Sequence, residues 1–140
     1  MKILLPVDGS AYTKRMLSYI AAHDELLGRE HEYTVFTVVA PIPGYAASFL
    51  EPKMIEDYHL QQAAEVLQPV RSFAEQQGWT FTCSHVVGHA AAAIAELAQA
   101  ERFDLIVMGT HGHSAMGNVV LGSVTTGVLA RCKTPMLLVR

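Results

Sequence analysis

Between Met108 and Arg131 the chain reads MGTHGHSAMGNVVLGSVTTGVLAR, with five glycines, two histidines, a cluster of hydroxyls and, from Gly109 to Ala130, no Asp, Glu, Lys or Arg. Such residues suit an anion site. Glycines let the backbone turn through positive φ and approach a ligand closely, while unpaired N–H groups at a helix start, with the helix dipole, favour negative charge. The stretch leaves a buried strand and enters a helix at Gly122-Ser123, where Ser123 and Thr125 add hydroxyl donors. On spacing alone, a surface turn with Ser123 as a helix cap is an equally good reading. Asp8, in PVDGS, has the same two sides: a turn former that bonds nearby N–H groups, or a ligand contact at the sheet edge.

The histidines raise the question of a metal. His111 with His113, and His85 with His89, lack a third ligand of assured geometry, and the two pairs should not converge, so no metal is assigned to protein side chains. HGHS also differs in order and in place from the HxGH-type motif of nucleotidyl transferases, which follows the first strand.

The elements that must position these residues follow from hydrophobic patterning. KILLPV, YTVFTVVA, WTFTCSHVV, DLIVMG and PMLLV are short apolar or β-branched runs separated by segments with helical spacing, which gives five strands alternating with helices. DLIVMG is apolar along its whole length, as suits a parallel strand covered on both faces. The fold class is therefore α/β, doubly wound, in a single domain over 1–140. Ser10 is expected to cap a helix running to about Leu27. A stripe through Leu60, Ala63, Ala64, Leu67, Val70 and Ala74 marks a second helix, which Pro69 should kink or interrupt. A third covers about Ala90 to Ala100 with Ile94, Ala95, Leu97 and Ala98 inward, and a fourth begins near Ser123. Gly127, inside that fourth helix, costs about 1 kcal/mol relative to Ala, and close packing against the sheet is the expected reason. Ligands of such sheets sit beyond the carboxyl ends of the strands where the winding reverses, which directs attention to Asp8-Gly9-Ser10 and to Gly109 onward.

At 140 residues, 51% hydrophobic and 16% charged, the chain can bury a sizeable core. A formal net charge of -3 offers no basic excess for a nucleic-acid backbone or an anionic membrane, so neither is an expected partner. MKILLPVDGS has too short an apolar run for a signal peptide, and cytoplasmic residence is the expectation. Cys83 and Cys132 have neither CxxC spacing nor a His-rich partner motif and read as free thiols. A phosphate-accepting receiver domain would need an Asp after its third strand, and His85-Val86-Val87-Gly88 supplies none.

The complete pattern, Gly109, two residues, Gly112, nine residues, then Gly122-Ser123, resembles the nucleotide-binding signature of the universal stress protein family. The resemblance spans the whole chain, from ILLPVDGS through DLIVMGTHGHS to TPMLLV. It implies a Rossmann-like, adenine nucleotide alpha hydrolase-like sheet of five parallel strands in the order 3-2-1-4-5, with helices on both faces. It further implies that Pro6, Val7 and Asp8 border adenine and ribose, that Val38 and Val39 line the base pocket, and that Met108 and Gly109 lie near the ribose. Gly112, Gly122, Ser123, Val124 and Thr125 would surround the phosphates, largely through backbone N–H groups, with His111 beside them as a donor. The segment from Ala40 to Pro52 is where family members vary most, and it would cover the nucleotide.

By this resemblance the expected ligand is ATP with Mg²⁺ or Mn²⁺, bound by a nucleotide-responsive regulator whose turnover is absent or slow. An ATP hydrolase or adenylyl transferase, and a nucleotide-free interaction or protective module, are the alternatives. The resemblance also implies a homodimer, and the uncovered apolar strand Pro135 to Val139 is its expected seam.

Overall fold

The computed structural model describes residues 1–114 and 117–140. Five strands, β1 (Lys2–Pro6), β2 (Glu32–Val39), β3 (Thr80–Val87), β4 (Leu105–Gly109) and β5 (Met136–Val139), form one sheet in the order β3-β2-β1-β4-β5. All four pairings are parallel, so the order implied by the family resemblance is the order found. β1 and β4 lie next to each other at the middle of the sheet, and the chain winds outwards from them in both directions. The crevice at their carboxyl ends is where Asp8 and the glycine stretch meet.

Helices α1 (Ala11–Ala22) and α4 (Pro52–Gln77) cover one face, and α5 (Ala90–Ala100) and α6 (Ser123–Arg131) the other. Two short helices, α2 (Asp24–Leu27) and α3 (Gly44–Ala47), lie in the connections. Ile3, Leu5, Val35 and Val107 are buried beneath the first pair, and Leu4, Phe36, Ile106 and Met108 beneath the second. Apolar side chains on alternate faces of one strand are what a doubly covered sheet requires.

Several local expectations change. The first helix does not continue to Leu27: it ends at Ala22, and α2 starts after a break at His23, whose N–H bonds the carbonyl of Ile20. Ser10 stands at the N-cap position, but its side chain makes no capping bond and its hydroxyl is buried without a partner. Pro69 does not interrupt α4, which continues from Pro52 to Gln77. Pro69 lies on the exposed side, where water can solvate the carbonyl freed by the missing N–H. The stripe of α4 is correct at Ala63, Leu67, Val70 and Ala74, whereas Leu60 and Ala64 are exposed. Gly78 ends that helix at a φ of 70°, a left-handed cap suited to glycine.

Gly127 owes its place to a neighbouring helix rather than to the sheet. A Cβ there would lie 2.5 Å from Cβ of Ala91, so the α5–α6 approach requires a residue without a side chain.

Candidate functional site

Beyond the carboxyl ends of β1, β2 and β4 lies a cavity of about 460 Å³. Its apolar side is built from Val7, Phe36, Val38, Ile94 and Met108. Its polar side is built from the Asp8 turn, the glycine stretch and the first turn of α6. Every residue singled out from the sequence lines this cavity except Val39. Side chains alternate along a strand, so with Phe36 and Val38 facing the cavity, Val39 faces the opposite core under α1 and α4. Sequence reasoning missed Thr13, Phe36, Ala90, Ile94, His113, Ser114 and Val119. Phe36 was within reach, since it lies two residues before Val38 on the same face.

The Asp8 turn is fixed from within. Oδ1 of Asp8 accepts from the Ser10 N–H (2.9 Å) and from the Thr13 hydroxyl (3.0 Å), and that hydroxyl in turn accepts from the Asp8 N–H (3.1 Å). Gly9 carries the bend at a φ of 76°. One carboxylate oxygen therefore holds the turn, while Oδ2 points towards Gly112, where a Cβ would stand 2.6 Å from it. Turn former and cavity-lining group are both accurate descriptions of Asp8.

The signature glycines are demanded by the protein's own packing. A Cβ on Gly109 would lie 2.6 Å from Cβ of Tyr12 on α1. One on Gly122 would lie 3.2 Å from both Thr110 O and His111 Cα, main-chain atoms that cannot swing away. The Gly122 N–H donates to Thr110 O (2.8 Å), closing the neck of the loop between them.

Side chains fasten this loop further. Nε2 of His111 donates to Val119 O (2.7 Å), and its Nδ1 is hydrogen-bonded to the Thr110 hydroxyl (2.9 Å). Nε2 of His113 donates to Asp8 O (2.6 Å), tying the loop to the β1–α1 turn. His111 lines the cavity, and both its ring nitrogens bond within the loop. Thr125 also lines the cavity, but it is buried and its hydroxyl donates to Gly109 O and Thr110 O, each at 3.2 Å. Ser123 is exposed and remains a hydroxyl donor at the start of α6.

Among the described residues, no group of three or more His, Cys, Asp or Glu side chains could hold a metal ion. His89 instead caps α5, its Nδ1 accepting from the Ala92 N–H. The segment from Ala40 to Pro52 contains α3, and none of its residues lines the cavity; Tyr45 and Phe49 stand exposed upon it.

Compared with known families, residues 1–140 match the universal stress protein family. The chain belongs to this family. A universal stress protein of Thermus aquaticus is 35% identical over 142 residues, covering 99% of this chain and 97% of that one. Among solved structures, protein MJ0577 of Methanocaldococcus jannaschii superposes with a TM-score of 0.83 at 26% identity, covering 99% of this chain and 94% of the other. A universal stress protein solved in complex with cAMP superposes at 0.66 with 26% identity over 100% of this chain and 96% of its own. Among the described residues, no helix of this universal stress protein is long and apolar enough to cross a membrane.

Proposed function

We propose that this universal stress protein binds ATP in the cavity and acts as a nucleotide-responsive regulator with absent or slow hydrolysis. One observation carries the reading: a single cavity joins an apolar slot formed by Val7, Phe36, Val38, Ile94 and Met108 to a charge-free, glycine-rich loop leading into α6. An aromatic base suits the slot, and phosphates suit backbone N–H groups at a helix start. The cAMP complex of a relative supports the same ligand class.

Among the described residues, the cavity lining contains no Lys or Arg. Phosphate charge in the cavity would then call for a divalent cation, Mg²⁺ or Mn²⁺, brought with the nucleotide to offset it. A phosphate-binding loop built for hydrolysis places a lysine at the terminal phosphates; its absence here favours binding over turnover. The protein is a cytoplasmic homodimer in this reading, joined at the open edge of β5 along Pro135 to Val139. Leu137 and Leu138 of that strand are only partly buried in the single chain.

Calorimetric titration with ATP and with adenosine, with and without Mg²⁺, tests the assignment. Gly122→Val should weaken ATP more than adenosine, because its side chain would press on the neck of the phosphate loop. Asp8→Ala should weaken both. Unchanged ATP affinity, or equal losses for the two ligands in folded Gly122→Val, would overturn the phosphate-cradle reading.

A further inference from the structure

The glycine loop contains no cation, yet the fold brings two to its back. A second cleft of about 390 Å³ adjoins the first cavity, the two sharing His111 and Val119. Arg15 of α1 and Arg140, which follows β5, both line it, together with Tyr12 and Asn118. The Arg15 guanidinium lies over the Tyr12 ring, 5.0 Å from its centre, and that ring packs against His111 at 5.1 Å. The cation is thereby set against the wall that separates the two spaces.

Among the described residues, no carboxylate side chain lines this cleft. Among the described residues the one ion pair is Lys2 with Glu101, so neither Arg15 nor Arg140 is paired with an Asp or Glu side chain. Two arginines lining one cleft, neither paired with an Asp or Glu side chain, offer it planar forks of N–H donors, and such forks match phosphate oxygens.

We infer that this cleft is a phosphate oxyanion subsite formed by Arg15 and Arg140, extending the glycine cradle across the His111 wall. The oxyanion is either the far phosphate of a nucleotide whose base occupies the first cavity or a separate inorganic phosphate. In the first case the inference rests on the nucleotide reading above, and in the second it stands alone.

Inorganic tripolyphosphate, AMP and ATP are titrated into the full chain and into a variant carrying Arg15→Gln and Arg140→Gln. Thermal unfolding and light scattering establish that fold and assembly are the same in both. Tripolyphosphate should bind the parent and lose roughly tenfold or more in affinity in the variant, as expected when charge-assisted hydrogen bonds are removed. If the nucleotide supplies the oxyanion, ATP weakens as well while AMP is unaffected; if a separate phosphate does, ATP and AMP are both unaffected. Tripolyphosphate that fails to bind the parent, or binds both proteins equally, overturns the subsite. An equal loss for AMP and ATP also overturns it, since damage would then lie in the nucleotide cavity. Arginine-dependent tripolyphosphate binding in a parent that takes up no nucleotide would uphold the subsite and remove the nucleotide reading.

Discussion

Gly112 and Oδ2 of Asp8 are so close that a Cβ at position 112 would stand 2.6 Å from that oxygen. The carboxylate cannot simply swing aside, because its other oxygen is bound by the Ser10 N–H and the Thr13 hydroxyl. Gly112→Ala should therefore lower stability by roughly 1–3 kcal/mol, the usual range for overpacking. Asp8→Ala introduced into the same chain should recover most of that loss, measured by denaturant unfolding of all four proteins in the cycle. Simple addition of the two single losses would show that the contact is not the cause.

The helix interface offers a second cycle. Gly127→Ala improves helix propensity by about 1 kcal/mol, but its Cβ would fall 2.5 Å from Cβ of Ala91 and force α5 and α6 apart. Net destabilisation is expected, and Ala91→Gly in the same chain should reverse it by restoring the space. A Gly127→Ala protein more stable than the parent would refute the packing explanation.

Tyr33 predicts an alkaline limit to stability. Its ring is buried against Trp79, and its hydroxyl donates to the carbonyls of Leu27 and Gly28. Burial first, and the nearby Asp24 carboxylate second, push its pKa up to about 12. A group whose pKa is raised by folding contributes stability that is fully present below its unfolded value, about 10, and is lost as pH rises through the folded value. Ultraviolet titration should show one tyrosine ionising later than the others, and Tyr33→Phe should remove this late step. Stability of the parent should decline between about pH 10 and 12 as this contribution is lost. Ionisation of Tyr33 together with the exposed tyrosines would contradict its placement.

The cysteines report on strand order. Cys83 lies on β3 and Cys132 just before β5, at opposite edges of the sheet, and both are free. Four inter-strand steps of about 4.8 Å separate those edges, against an upper limit near 7 Å between the Cα atoms of a disulfide. Peptide mapping after mild oxidation should find no intramolecular bridge. Cys83 should also react slowly with alkylating reagents, since burial is the largest influence on its thiol and raises its pKa.

Much of this arrangement is legible in the sequence because covered parallel strands such as β1 and β4 are continuous apolar runs, while the edge strand β3 shows itself by β-branched residues; all five runs match the strands to within about a residue. The cavity residues near strand ends come from the family resemblance. Val39 escaped because adjacent valines in VFTVVA look equivalent until β2 is oriented, when alternation sends them to opposite faces. Pro69 misled because propensity rules ignore which side of a long helix faces water. The engaged hydroxyl of Thr125 and the spent nitrogens of His111 depend on carbonyls placed by the loop's own closure, which no spacing reveals. Arg15 and Arg140 stand 125 positions apart by their numbering, and only the fold brings them to one cleft.

The bond from the Gly122 N–H to Thr110 O closes the loop at its base, so β4 and α6 meet whether or not the intervening segment has a particular composition. The described residues 113–114 and 117–121 thereby hang from a fixed frame. Side chains there can be exchanged at constant length while the sheet beneath stays the same. Two constraints travel with any such exchange: an acceptor for the His111 ring at the position of Val119, and a donor at position 113 able to reach Asp8 O.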